Sequence, residues 1–354
     1  MARRGPGLLG YLAVAMLVVA PVQGRADALT EFYRGRQISL VVGYGTGGGY
    51  DVYARLIART LGKYLPGNPG VIVQNMPGAA SLRAVNYLYN AAPKDGTVIG
   101  TFARDMPLLG IMGSPNAKFD PLRLTWLGSS SSYANDAYLL MTRTDAPVKS
   151  IEDARRPGKP PLVLGGTGEG ASGNDVATVL RDALSLNLKI VTGYPDSNAI
   201  FLAVDRKEVD GRFVGLSSVQ SSHREWLLPG SGMQVLLQFG RATRHAAFPG
   251  VPTARELAKT DAARALIELV EAPYVLSRPF AAPPGIPKDR ASALQEAFLR
   301  AHQDPQFLDE AARLKIEVSP IGGEAALNAV TTIARAPAEL ISRMKKLLAG
   351  QKGG

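Results

Sequence analysis

From about residue 30 onward, short apolar runs alternate with longer segments whose apolar residues recur at helical spacing. Residues 38–42 (ISLVV) are apolar without alternation, as a strand buried on both faces must be. The following DVYARLIARTLGKYL sets Val52, Leu56 and Ile57 on one helical face. Residues 70–75 (GVIVQN) and 96–102 (GTVIGTF) repeat the strand signature, and a helix from about 81 to 91, which Pro93 helps to end, lies between them. A second unit opens at SSSSYANDAYLLMTR, where residues 138–141 read as a strand, and residues 162–164 then enter a glycine-rich turn and a helix carrying Val176, Val179 and Leu180. LKIVTGY, GRFVG and MQVLLQF supply further strands up to about Phe239; from Phe248 the chain is punctuated by proline and then helical. The pattern predicts α/β layers over largely parallel sheets, with no short-period repeat.

Composition adds boundaries. A chain of 354 residues with 46% hydrophobic content has room for about two domains. Its start, MARRGPGLLGYLAVAMLVVAPVQGRADA, has Arg3 and Arg4 ahead of an apolar stretch, residues 8–22, and a small-residue pattern at residues 26–28. That is the plan of an export signal cleaved near Ala28, and the stretch is too short to span a bilayer. The expected location is outside the cytoplasm. Losing the leader removes three arginines and one aspartate, so the formal charge of +10 falls to +8. The basic residues are scattered along helices rather than gathered in a stripe, which argues against nucleic acid. Zero cysteines exclude disulfides, thiolate metal sites and thiol nucleophiles. No heptad or exposed apolar stripe asks for a second copy, so a monomer is expected.

Chemistry concentrates in glycine turns. Gly43, Gly45 and Gly48 fit the G-x-G-x-x-G spacing between a strand and a helix. A dinucleotide site needs an acid at the end of the next strand, and Gln74 and Asn75 stand there instead. No Gly-Lys-Ser or Gly-Lys-Thr follows for a phosphate loop. The histidines, His223, His245 and His302, lack ligand spacing, and no base is nominated for Ser172, so neither metal, cofactor nor catalysis is expected. Three turns at strand-to-helix junctions remain, residues 45–51, 75–81 and 165–174. Unpaired N–H groups and the helix dipole favour an anion at such places, and glycine lets it approach. Asp51 either contacts a ligand or caps its helix; Tyr44 and Tyr50 either wall a ligand or pack between lobes. Arg104 and Asp105 read as an ordinary surface pair.

The stretches ISLVVGYGTGGGYDVYARLIARTLGKYL, VIVQNMPGAASLRAVNYLYNAAPKDGTVIG, FPGVPTARELA and PFAAPPGIPKDRASALQEAFLRAHQDPQFLDEAARL resemble the extracytoplasmic solute receptors of tripartite tricarboxylate transporters, the Bug receptors. The resemblance implies a periplasmic binding-protein fold of type II, with two α/β lobes, hinge crossings and a ligand cleft: lobe 1 from residues 29–132 plus 248–354, lobe 2 from 133–247. It implies capture of a small organic acid by backbone groups and waters rather than cationic side chains, and delivery to membrane transporter subunits. Carried over by position, it puts Thr46, Gly47, Gly48, Gly49, Tyr50 and Asp51 at the cleft, with Pro77, Gly78, Ala79, Ala80 and Ser81. From lobe 2 it adds Thr167, Gly168, Ser172, Tyr194, Asp196, Ser197, Asn198 and the end of GRFVG. Tyr50 stands where the family has a small hydroxyl residue, Ala80 where it has glycine, and the 165–175 turn lacks a histidine. Tyr44 with Tyr50 points to an acid with an aromatic or apolar portion rather than citrate. A ligand-responsive partner of a membrane sensor would use the same cleft, and a cofactor-dependent enzyme is the third reading.

Overall fold

The computed structural model describes Met1, residues 23–168 and residues 170–349. Helix α1 (Gln23–Tyr33) precedes β1 (Gln37–Val42), α2 (Gly49–Thr60), β2 (Gly70–Asn75), α3 (Leu82–Asn90), β3 (Val98–Thr101), α4 (Met106–Ile111) and β4 (Thr125–Ser129). A second series follows: β5 (Tyr138–Arg143), α5 (Ile151–Arg155), β6 (Leu162–Gly165), α6 (Ser172–Ala183), β7 (Leu188–Val191), α7 (Ser197–Asp205), β8 (Gly211–Gly215), α8 (Leu216–Ser222) and β9 (Met233–Phe239). The chain ends through α9 (Ala254–Leu257), α10 (Asp261–Glu271), β10 (Pro279–Ala282), α11 (Lys288–Ala301), α12 (Pro305–Leu314), β11 (Ile321–Gly322), α13 (Gly323–Ala334) and α14 (Ala338–Ala349). Most of the expected leader lies outside the described residues, and α1 runs through the expected cleavage point. Among the described residues no helix is long and apolar enough to cross a membrane.

Two sheets form. The first has the order β11-β4-β10-β3-β1-β2 and the second β7-β6-β8-β5-β9. Strands fed by a crossover helix run parallel, as β1 does with β2 and β3, and β6 with β7 and β8. The sheets are nonetheless mixed, which corrects the largely parallel expectation. β10 runs antiparallel to β3 and β4, and β5 to β8 and β9. β10 and β5 are the strands that enter a sheet from the other layer, where no crossover helix sets their direction, and the short β11 also runs antiparallel to β4.

The absence of alternation in β1 has its cause in burial on two faces. Val41 joins Leu88, Phe102 and Leu108 on one side, while Leu40 and Val42 meet Ile57, Leu294 and Phe298 on the other. β5 behaves alike, with Leu140 in the first of these clusters and Leu139 and Met141 against Phe201, Val204 and Val219. The first cluster continues from α3 and α4 through α6, α10, α13 and α14, so one apolar core underlies both layers. Arg343 of α14 pairs with Asp182 of α6 at 2.7 Å. The chain after residue 247 thus divides its contacts between the two layers.

Where the chain crosses, a run of serines ties the strands. Ser130 N–H donates to the Arg278 carbonyl at 2.9 Å, Ser277 N–H to that of Ser131 at 3.1 Å, and Ser132 N–H to that of Ser319 at 2.9 Å. Ser129 Oγ accepts from Arg278 N–H at 3.0 Å, and the Ser132 and Ser319 hydroxyls meet at 2.9 Å.

Candidate functional site

A cavity of about 100 Å³ lies between the layers, at the carboxyl ends of β1, β6 and β8, where open α/β sheets place ligands. The first layer lines it with Tyr44, Gly45, Gly48, Gly49, Tyr50, Arg104 and Arg278. The second contributes Tyr138, Gly165, Gly166, Thr167, Ala171, Ser172, Gly173, Asn174, Asp196, Ser197, Ile200, Arg212, Phe213, Val214, Gly215 and Ser218.

The turn after β1 is held from behind. Asp51, 1% exposed, accepts from Gly47 N–H at 2.8 Å, Arg55 Nε at 2.8 Å and Asn75 Nδ2 at 2.8 Å. Burial pushes its carboxyl up, and these hydrogen bonds outweigh that and hold it below the usual aspartate range. Asn75 Nδ2 also donates to the Tyr44 carbonyl at 2.9 Å, so the residue standing where a dinucleotide site needs an acid knits the turn instead. Ser81 Oγ donates to the Gly43 carbonyl at 3.2 Å and accepts from Ala103 N–H at 3.1 Å. A Cβ on Gly43 would collide with that hydroxyl. The front of the turn faces the second layer closely: a Cβ on Gly45 would stand 3.4 Å from Asp196 Oδ2, and one on Gly49 3.4 Å from Ser218 Oγ.

Two long helices begin at the cavity without a side-chain cap, α2 behind Gly48 and α6 behind Ala171. Their first N–H groups and dipoles favour an anion. The start of α7, by contrast, is capped by Asp196, whose carboxylate accepts from Ala199 N–H at 2.9 Å. α6 copies the arrangement of α2: Asp175 accepts from Gly170 N–H at 3.3 Å, as Asp51 does from Gly47.

Aromatic rings and guanidinium groups complete the walls. Tyr44 stacks on Tyr50 with centroids 4.8 Å apart, and the Arg278 guanidinium lies 4.9 Å from the Tyr50 ring centre. Burial pushes the Tyr44 hydroxyl well up. Tyr50 Oη accepts from Arg104 N–H at 3.0 Å. Arg104, Arg212 and Arg278 are 3%, 5% and 3% exposed, and among the described residues the one lining carboxylate is Asp196. Arg212 donates through Nη1 to the Ser197 carbonyl at 2.6 Å and through Nη2 to its hydroxyl at 2.9 Å. Burial lowers its pKa to about 10, which still leaves it charged at neutral pH. Arg278 Nη1 donates to the Ser277 carbonyl at 2.9 Å. Asp105 is buried, accepts from Ser172 Oγ across the layers, and is pushed up to about 6 by burial.

Of the residues expected at the cleft, the cavity brings together Tyr44, Gly48, Gly49, Tyr50, Thr167, Ser172, Asp196 and Ser197, with the end of GRFVG. Thr46, Gly47 and Asn198 are exposed and outside the lining, and Gly168 and Tyr194 are half-buried outside it. Asp51 and Ser81 are buried in the supports just described, while Pro77, Gly78 and Ala79 are exposed and Ala80 is half-buried away from the lining. Two expectations are corrected. Arg104 and Asp105 are a buried pair at the layer interface rather than a surface pair, because the loop after β3 turns inward under the tyrosines of the crossing. Cationic side chains do line the cavity, and sequence reasoning missed all three; an arginine inside the apolar GRFVG was the available signal for Arg212.

Residues 53–335 match the family model described as the tripartite tricarboxylate transporter family receptor. A UPF0065 protein of Bordetella pertussis is 28% identical over 309 residues, covering 85% of this chain and 86% of that protein. The solved periplasmic binding protein BugD superposes with a TM-score of 0.69 at 19% identity, over 89% of this chain and 98% of that one. MatC of Rhodopseudomonas palustris, solved with bound malate, gives 0.65 at 20% identity, over 89% and 99%.

Proposed function

Because the chain belongs to the tripartite tricarboxylate transporter receptor family, a family of solute receptors and not of enzymes, we propose that its cavity captures a small organic acid outside the cytoplasm and delivers it to the membrane subunits of such a transporter. The observation that carries this reading is the lining charge: among the described residues, three buried guanidinium groups meet one lining carboxylate, which is already used as a helix cap. An enclosed site with this imbalance favours an anion. The uncapped starts of α2 and α6 add to it. The malate in MatC is an acid of this class.

The ligand has an aromatic or apolar portion. Tyr44, Tyr50, Tyr138, Ile200 and Phe213 supply that wall, and little room is left for a bulky tricarboxylate. The receptor acts as a monomer in the periplasm after loss of its leader. Its lobes comprise residues 29–132 plus 248–354 and residues 133–247, and their closure by hinge motion presents a composite face to the carrier.

The test is a thermal-shift panel of benzoate, malate, adipate, citrate and NAD on the leaderless protein. Ligand at about a hundred times its Kd stabilises the folded state by about 2.7 kcal/mol, enough for a shift of roughly 5 °C. At least one acid, benzoate before citrate, is expected to give it. A shift with NAD alone, or with none of the acids, overturns the reading.

A further inference from the structure

We propose that Arg104 is the direct charge partner of the ligand's carboxylate, so that this receptor reads a formal negative charge through a side chain as well as through backbone amides. The assignment rests on the receptor reading above and deepens it. Arg104 follows β3 in the first layer, yet its guanidinium lies over three tyrosines of the crossing and the second layer: 4.5 Å from the ring centre of Tyr274, 5.0 Å from Tyr133 and 5.4 Å from Tyr138. It lines the cavity at 3% exposure. Its Nε and Nη1 donate to nothing among the described residues, and it enters no ion pair among them.

The other two lining arginines differ. Arg212 spends both terminal nitrogens on Ser197, and Arg278 is tied through Nη1 to the Ser277 carbonyl and hydroxyl. The neighbouring carboxylate does not close this gap: Asp105 accepts from Ser172 through Oδ2 and has no hydrogen bond to Arg104, whose charge it feels only at a distance. The three rings, with Tyr274 crossed at 80° to Tyr133 and at 72° to Tyr138, hold the guanidinium in place by cation–π attraction. Nε and Nη1 are left as donors that suit a planar acceptor such as a carboxylate. A buried charge that lacks such a partner is costly, and a ligand carboxylate removes that cost when it binds.

The experiment compares the panel acid that stabilises the wild type most with its primary amide, by calorimetry, on wild type, R104M and R104K. The wild type should bind the acid far more tightly than the amide. R104M, which fills the tyrosine box without a charge, should melt at or above the wild-type temperature when empty, because an unpaired buried charge has gone. It should bind the acid roughly 30-fold or more weakly while its amide affinity stays put, and R104K should recover part of the loss. A wild type that binds amide and acid equally overturns the assignment whatever the variants do. So does an R104M that keeps the acid-to-amide ratio, or that melts several degrees lower and loses both ligands together, since Arg104 would then be a strut. A wild type that binds no acid overturns the receptor reading itself, and this assignment with it.

Discussion

Tyr50 sets the size of the cavity. Its ring lies between Tyr44 and the Arg278 guanidinium, and its hydroxyl oxygen holds the backbone of Arg104. Tyr50→Ser should open the site by the volume of a phenol ring at a cost of about 2 kcal/mol, and should raise citrate affinity relative to benzoate in calorimetry; an unchanged ratio would show that the ring does not meet the ligand. In the sequence the position stood out as a tyrosine beside the glycine turn, open to walling a ligand or to packing between lobes, and the fold gives it a place in the cavity lining. Arg104, Arg212 and Arg278 were not visible in that way. Arg104 follows β3, Arg212 lies within β8 and Arg278 precedes β10, and only the tertiary fold brings the three to one cavity.

At the scale of elements, the turn from β2 into α3 carries strain. Ala79, Ala80 and Ser81 have φ of 45°, 52° and 85°, three successive side chains in the left-handed region, which costs about 1–2 kcal/mol per residue for anything but glycine. The likeness to family members put a glycine at position 80 and this chain has alanine there. Ala80→Gly should raise stability by up to about 1 kcal/mol in denaturant titration and leave acid affinity unchanged, because the turn buttresses Gly43 through Ser81 and stands off the cavity. Loss of affinity in this variant would put the turn at the ligand after all. The long apolar strands were legible from their lack of alternation. β4, β10 and β11 were not, since each is short and interrupted by glycine or proline, and each depends on neighbours far away in sequence.

For the molecule as a whole, pH enters through His302. It is 2% exposed between Phe298 and Phe307, its Nδ1–H donates to the Phe298 carbonyl at 2.7 Å, and burial lowers its pKa to about 4. The unfolded chain, with an ordinary histidine near 6.5, then holds more protons than the native state between those values. Stability contributed by the neutral ring is full above about pH 6.5 and falls as pH drops toward 4, by roughly 3 kcal/mol in all. His302→Asn, which keeps a donor for the carbonyl and cannot titrate, should flatten that slope in urea titrations at pH 7.5 and 5.0; a slope that persists would assign it to other groups. The two-layer plan was legible from the repeated strand-to-helix order, whereas the serine-tied crossings were not, because a run of serines reads as a loop until its hydrogen bonds are drawn. Those crossings also bear on durability. The second sheet joins the first through one peptide stretch near residues 130–137 and through the longer stretch between β9 and β10, residues 240–278. A protease that severs either stretch leaves the layers joined covalently by the other, and after two cuts the second layer is still held by the apolar core the two layers share.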